Sequence, residues 1–332
     1  MRAVRIPRFG DAEVLTLNEN AAVPVPGPLD VTIDVAYAGV NYAEVLFRKG
    51  VVPDLPLPFV PGIEVSGTIR AVGEQVTGLR AGQPVAALSI VNGGGYAEVV
   101  KVPSQLVFPV NGTEGKEPDL AVVAALPSNV TTAYMIMSNV SRLRQGETVL
   151  VHAAAGGVGS MIGQMARKLG AGCVIGTVGD RDKIEYAKRL GYDAVFLRDE
   201  YEEQVMELTG GHGVDIVVDP VGGGMRKAAL RLLKPFGRLV AMGNASDAED
   251  VQQSMNELWF TSKAVLGFNL QQMSAYAPEL VAEAGRQAID MAIRGDIRVD
   301  VTDVLELHEA GEAHRRIEER RTTGKLVLKV KA

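Results

Sequence analysis

The spacing of apolar residues changes character twice along the chain. Up to about residue 117 they come in short alternating runs, at 31–37, 64–72, 83–88 and 96–102. Each run reads as a half-buried strand. Gly39, Gly73, Gly78, Gly82 and the Gly93-Gly94-Gly95 run separate them, which predicts a compact, partly closed sheet. Residues 41–49 (NYAEVLFRK) have helical spacing, closed by Gly50. The proline-rich VVPDLPLPFVPG after them is too rigid for regular structure. A polar segment, NGTEGKEP, then reads as a surface connection into a helical stretch from Asp119 to about Val140.

From Thr148 the runs alternate between two periods. Strand-like runs fall at 148–152, 173–178, 194–197, 214–219 and 238–242. Helical runs fall at 159–169, 181–190, 202–209 and 225–233. Such alternation predicts a parallel sheet with helices on both faces. Near 264–270 the chain is expected to leave that sheet. Two further helices, 278–294 and 308–321, and a last strand, 325–330, complete the pattern.

The stretch with most chemical content is TVLVHAAAGGVGSMIGQMARKLG, residues 148–170. A β-branched strand leads into small residues only, and a helix follows until Gly170 stops it. A helix N-terminus offers unpaired N–H groups and partial positive charge, and a pyrophosphate reaches them only where no side chain blocks the way. Ala155, Gly156, Gly157, Val158 and Gly159 form that bend. Gly156 allows close approach and Gly159 allows the helix to pack on the strand. Ala154 stands where such bends usually carry their first glycine, so the pattern is the variant AxxGxxG. With a strand before it, a helix after it and a second strand beyond, it reads as half of a dinucleotide-binding unit.

Composition narrows the picture. At 332 residues two domains are expected, and a net charge of −6 argues against nucleic acid or an anionic membrane as main partner. The single cysteine, Cys173, excludes an internal disulfide and a multi-thiolate zinc site, and reads as a buried structural thiol. No signal peptide and no apolar span long enough for a bilayer is visible, so a cytoplasmic protein is expected.

HAAAGGVGS, followed by GTVG at 176–179, resembles the zinc-free quinone oxidoreductases of the medium-chain dehydrogenase/reductase superfamily, alongside zeta-crystallin-like proteins. The resemblance extends through AGVNYAEVLFRKG (38–50), PGIEVSGTI (61–69), GGYAEVV (94–100), VDPVGG (218–223), GRLVAMGNAS (237–246) and TTGKLVLKV (322–330). It implies an α/β fold in which a Rossmann doubly wound parallel sheet is inserted in a GroES-like, β-rich catalytic domain. The expected boundaries are 1–120 for the first part of the catalytic domain, 121–265 for the NADPH-binding domain and 266–332 for the return. It also implies a homodimer joined at the sheet edge near 264–270.

Zinc enzymes of this superfamily carry a cysteine and a histidine on the catalytic metal. The matching positions here are Asn41 and Ile63, and neither suits zinc. The structural zinc loop is missing as well. Of the four histidines, His308 and His314 read as solvated residues of a charged helix, and His152 as packed or hydrogen-bonded. No metal is therefore expected. Without a Lewis acid, alcohol oxidation is disfavoured, and hydride donation to an acceptor that delocalises charge onto oxygen remains.

For the cofactor, NAD enzymes place an acid at the end of the second strand. That position is Val178, with Gly179 next, then Arg181 and Lys183, cations that suit a 2′-phosphate. In the resembling family the lysine matching Lys183 meets that phosphate. NADPH is expected over NADH. Asp180 reads as a helix cap. At the nicotinamide end, Asn41 and Tyr42 open the early helix and are the candidate catalytic residues. Asn244 and Ser246 lie in a loop after a parallel strand, where ligands bind. By resemblance, Thr131, Phe268 and Lys325 join them around the cofactor. Enoyl-thioester reductases of the superfamily carry a tyrosine proton donor where Val52 stands here. The expected activity is therefore NADPH-dependent reduction of a small quinone or enone. A biosynthetic enoyl reductase is one alternative, and an NADPH-binding protein with little turnover is another.

Overall fold

The computed structural model describes residues 1–52, 54–110 and 117–331. The chain divides into two units: Met1–Thr131, Leu270–Arg294 and Val299–Ala332 form one, and Thr132–Asn269 with Gly295–Arg298 the other. The first unit thus runs past residue 120, because residues 120–131 are tied into it. Ser66 Oγ donates to the Leu120 carbonyl, and the Ser128 N–H donates to the Glu64 carboxylate at 2.8 Å. Most of the polar connection expected after residue 110 lies outside the described residues.

The first unit opens with strands β1 (Ala3–Arg5), β2 (Thr16–Asn18) and β3 (Asp30–Val40), helix α1 (Tyr42–Lys49), and strands β4 (Glu64–Val72), β5 (Pro84–Leu88), β6 (Val99–Pro103) and β7 (Val107–Pro109). The strands β1, β2 and β7 are only three residues long, too short to show a period in sequence. Gly50 closes α1 in the left-handed conformation, at φ 75°. The long helix expected from Asp119 is broken into α2 (Leu120–Ala124), α3 (Pro127–Met135) and a π-turn over Ile136–Val140. Pro127 has no N–H with which to continue α2, so it starts a new helix. The π-turn is closed by the Ser141 N–H, which donates to the Ile136 carbonyl at 2.8 Å.

The second unit alternates as expected: β8 (Thr148–Val151), α4 (Gly157–Lys168), β9 (Cys173–Val178), α5 (Ile184–Lys188), β10 (Ala194–Leu197), α6 (Tyr201–Leu208), β11 (Val214–Asp219), α7 (Gly223–Leu232) and β12 (Leu233–Ala241). The first turn expected of α5 is a 3-10 turn over Arg181–Lys183. The chain leaves the sheet within 264–270, as expected, but only after one more strand. After α8 (Met255–Thr261) it adds β13 (Ala264–Gly267), which pairs parallel with β12. The Phe268 N–H continues that pairing to the Ala241 carbonyl at 3.0 Å, which carries the unit to Asn269. All strands are parallel, in the order β10-β9-β8-β11-β12-β13. Val149, Leu150, Val151, Ile175, Val217 and Val218 are fully buried, as strands covered on both faces must be. Strand order reverses beside β8, and in open parallel sheets ligands bind at the carboxyl end of such a point.

The chain returns to the first unit with α9 (Leu270–Tyr276), α10 (Pro278–Ile293), β14 (Val301–Glu306), α11 (Ala310–Glu318) and β15 (Lys325–Lys329). β15 pairs antiparallel with β3, and the seven-stranded sheet runs β14-β15-β3-β4-β5-β7 with β6 also on β3. His314 on α11 is not solvated as expected but fully buried, its Nε2 3.4 Å from the Tyr96 hydroxyl. It lies on the inward stripe of α11 with Ala310 and Ala313. Burial, aided by the Arg48 charge, lowers its pKa to about 3, so it is neutral.

Candidate active site

In the second unit the bend after β8 is fastened to both neighbouring strands. The His152 N–H donates to the Val218 carbonyl at 3.0 Å, and the Ala154 N–H to the Thr177 carbonyl at 2.9 Å. Gly156 is the N-cap of α4, and Gly157, Val158 and Gly159 form its first turn. The two glycines singled out by sequence differ sharply. A Cβ on Gly159 would stand 2.2 Å from the Ala153 carbonyl oxygen, so only glycine lets the helix sit this close. A Cβ on Gly156 would meet only that same oxygen, at 3.3 Å, and would otherwise fill the space before the helix N-terminus. Gly156–Val158 are partly exposed, and the first-turn N–H groups lie outside the helix's own ladder. That arrangement fits a pyrophosphate.

His152 is buried as expected, with Nδ1 3.0 Å from Thr177 Oγ1 and its ring edge-on to Tyr201. Burial lowers its pKa to about 4 against the opposing pull of Asp219, so it is a neutral packing residue. Cys173 is only partly buried; its thiol pKa is raised, chiefly by burial.

At the end of β9, Val178 is buried and Gly179 exposed. Asp180 accepts the Asp182 N–H at 3.1 Å and so caps the turn, as expected. Arg181 is exposed, 3.9 Å from Glu200, and Lys183 is partly buried. A third cation was not singled out in the sequence. The Arg198 guanidinium carbon lies 3.6 Å from where a Cβ on Gly179 would stand. Arg198 follows β10, and its N–H donates to the Val178 carbonyl at 2.9 Å. The available signal was its place at the carboxyl end of the strand next to β9.

The loop after β12 is internally tied. Asn244 Nδ2 donates to the Ala248 carbonyl at 2.8 Å, and Ser246 Oγ donates to Asn244 Oδ1 at 3.2 Å. Buried Asp219 accepts the N–H groups of Val221 and Gly222 and pairs with Arg226 at 2.7 Å. Arg226 also donates to the Gly243 carbonyl at 2.6 Å, which joins the ends of β11 and β12. Phe268 is partly buried just beyond β13. The bend, Gly179, Asn244, Ser246 and Phe268 therefore share one sheet edge.

The first unit holds Asn41, Tyr42, Thr131 and Lys325. Tyr42 opens α1 and is partly buried. Thr131 is fully buried on α3, and its hydroxyl has no hydrogen-bond partner. Asn41 caps α1 and joins a buried charged cluster. Its N–H donates to Glu44 Oε2 at 2.8 Å, and its Nδ2 donates to Glu64 Oε1 at 2.9 Å. Lys325, almost wholly buried, donates from Nζ to both Glu64 Oε1 and Asn41 Oδ1. Glu44 also accepts the Ile63 N–H at 3.1 Å. Gly39 on β3 leaves room for this: a Cβ there would stand 2.4 Å from Glu64 Oε1. Burial, with some help from Glu64, raises the Glu44 carboxyl to about 7, although Lys325 and the Ile63 N–H pull it down. Glu44 and Glu64 were not singled out in the sequence. Their signal is an acid inside otherwise apolar runs, AEVLF and PGIEVSG.

The two positions matching zinc ligands do not fit that ion. Ile63 is buried and has no donor atom, and both ends of the Asn41 amide are engaged by Lys325 and Glu64. Among the described residues no group of three or more His, Cys, Asp or Glu could hold a metal.

A β-rich unit built from both chain ends, with a six-stranded parallel sheet inserted, defines the medium-chain dehydrogenase/reductase architecture. Two family descriptions match: an alcohol dehydrogenase GroES-like domain over residues 27–112 and a zinc-binding dehydrogenase domain over residues 157–286. The chain is 32% identical to a rat synaptic vesicle membrane protein VAT-1 homolog, over 99% of this chain and 84% of the relative. It is 31% identical to a quinone oxidoreductase of Pseudomonas aeruginosa, over 98% of this chain and 99% of that one. The structure is similar to that of Escherichia coli quinone oxidoreductase complexed with NADPH, with TM-score 0.90, 28% identity and 99% coverage of both chains. The chain belongs to the medium-chain dehydrogenase/reductase superfamily, in its quinone oxidoreductase branch.

Proposed function

We propose that this protein is an NADPH-dependent, zinc-independent reductase of small quinones or α,β-unsaturated carbonyls. The observation that carries the reading is the bend at the N-terminus of α4, bare at Gly156 and closed at Gly159, at the point where strand order reverses. Ala155–Gly159 hold the pyrophosphate through backbone N–H groups. Arg181 and Lys183, with Gly179 clearing the way and Val178 in place of an acid, receive the 2′-phosphate. Asn244, Ser246, Phe268, Thr131 and Lys325 are the proposed residues around the rest of the cofactor. The likeness to a quinone oxidoreductase complexed with NADPH supports the choice of coenzyme.

Bound NADPH supplies the hydride. Asn41 and Tyr42 serve the acceptor side: Asn41 offers an amide N–H to the acceptor oxygen, and Tyr42 or water supplies the proton. Isoleucine at 63 and the Lys325–Glu64 pair beside Asn41 support chemistry without zinc. No helix among the described residues is long and apolar enough to cross a membrane, and the net charge is −6; both favour a cytoplasmic protein acting on a small molecule rather than on nucleic acid. We also propose a homodimer. β13 is an edge strand, and Val265 on it, with Met255, Trp259 and Phe260 just before it, is exposed.

The test is turnover. Protein dialysed against a chelator is mixed with NADPH or NADH and a panel of quinones and enones. Oxidation of NADPH by at least one acceptor, faster than of NADH, is the expected result. No oxidation with any acceptor would overturn the reading.

A further inference from the structure

The superfamily's zinc supplies a positive charge beside the reacting oxygen, and the residues here do not fit that ion. Beside Asn41, one of the two positions matched to zinc ligands, the structure nevertheless holds a cation. The Lys325 ammonium is almost fully buried and sits between Glu64 and the Asn41 side chain. Glu64 is in turn held by the Ser128 N–H at 2.8 Å and accepts Asn41 Nδ2 at 2.9 Å. Lys325, Asn41 and Glu64 thus close a three-membered ring of charge-assisted hydrogen bonds inside the first unit.

A side-chain amide has one oxygen and two N–H donors. Here the oxygen faces an ammonium and one N–H faces a carboxylate, which fixes the orientation of the amide. The second N–H is the donor this ring does not use. An ammonium on the carbonyl oxygen draws charge through the conjugated amide and strengthens its N–H groups as donors, an effect enlarged by low local dielectric. Lys325 lies at the start of β15, a continuous sheet neighbour of β3, whose end carries Asn41, so the geometry rests on rigid elements.

We propose that Lys325 and Glu64 are positioning residues that orient and polarise the Asn41 amide, so that its remaining N–H stabilises negative charge on the oxygen of a quinone or enone. This rests on the reductase reading and assigns Lys325 to the acceptor side instead of the cofactor. In the reaction it serves, NADPH is oxidised and the acceptor gains a hydride. The electron pair of the acceptor double bond moves to the carbonyl oxygen, which then takes a proton from solvent. The fixed N–H meets the charge at that oxygen.

The test compares wild type, Lys325→Arg, Lys325→Met and the double variant Lys325→Met/Glu64→Gln. The double variant removes both charges of the Lys325–Glu64 pair and keeps the test valid if Lys325→Met alone fails to fold. The first readout is the side-chain amide signal of Asn41 in the protein without ligand, by NMR of asparagine-labelled samples, assigned by its loss in Asn41→Ser. Wild type and Lys325→Arg should show a shifted, slowly exchanging amide pair. In the double variant it should move to the position of ordinary asparagines. The second readout is kinetic: kcat should fall at least about tenfold in the double variant, with KM for NADPH within about twofold of wild type, and Lys325→Arg should recover most of it. An unmoved amide signal would overturn the proposal. So would an unchanged kcat with a raised KM for NADPH, which is the signature of a cofactor contact. If the wild type turned over no acceptor, the reductase reading would fall, and the NMR comparison would still decide whether Lys325 orients Asn41.

Discussion

Two glycines three residues apart do different work. At Gly159 an added methyl would collide with the Ala153 carbonyl oxygen, 2.2 Å away, and backbone cannot step aside as a flexible side chain can. Gly159→Ala should cost about 1–3 kcal/mol of stability. At Gly156, φ is −78° and the nearest contact of an added methyl is 3.3 Å, so alanine fits the backbone. Gly156→Ala should melt within about 0.5 kcal/mol of wild type. It should bind NADPH at least about tenfold more weakly, because the methyl would stand in the proposed pyrophosphate space. Thermal melts with calorimetry separate the two; equal NADPH affinity for wild type and Gly156→Ala would remove the pyrophosphate from this bend. The packing role of Gly159 was legible in sequence, because a strand and a helix flank it. The Glu44–Asn41–Glu64–Lys325 cluster was legible only in parts. Its members are separated by up to hundreds of residues, and nothing in a one-dimensional pattern says that Lys325 will be buried against Glu64 rather than solvated.

At the scale of elements, the alternating middle of the chain was readable because each run carried its own period and its own glycine stop. The failures have local causes. Pro127 divided one expected helix, and the Ser141 bond to Ile136 turned its end into a π-turn. β13 is no such failure: it is the edge strand expected near 264–270, though short at four residues. It matters nonetheless. β13 leaves one side of its ladder unpaired, and Met255, Trp259 and Phe260 are each more than two-thirds exposed on the preceding α8. Trp259 and Phe260 stack on each other with ring centroids 4.7 Å apart. Apolar surface beside an open edge strand invites a second copy. The protein should sediment as a dimer, and Trp259→Asp/Phe260→Asp as a monomer that keeps its fold. A monomeric wild type, or a double variant that stays dimeric, would place the interface elsewhere or nowhere.

At the scale of the whole molecule, the insertion of one unit within the other followed from the resemblance, since strand β15 had to find β3 across the chain. The pH dependence of stability is likewise a property of the whole. His152 and His314 are held neutral in the fold, with values lowered to about 4 and about 3 from an ordinary 6.5. Glu44 is held protonated up to about 7, from an ordinary 4.5. Between pH 4.5 and 6.5 the unfolded chain therefore binds protons on both histidines that the fold refuses, while the fold keeps one on Glu44 that the unfolded chain releases. The balance of these three groups is about one proton, so they lower stability by about 1.4 kcal/mol per unit as pH falls through this window. Glu44→Gln removes the opposing group and should steepen their loss to about 2.7 kcal/mol per unit, whatever its starting stability. Denaturant melts at pH 5 and pH 6.5 measure the slope, and equal slopes for the two proteins would show that Glu44 is ionised in the fold.

The proposed activity requires above all that a phosphorylated dinucleotide occupy the bend before α4. Titration calorimetry of the chelator-dialysed protein with NADPH and NADH tests this directly. It should give a micromolar dissociation constant for NADPH, about −8 kcal/mol, and at least about tenfold weaker binding of NADH. No heat from either coenzyme, or tighter binding of NADH, would contradict it.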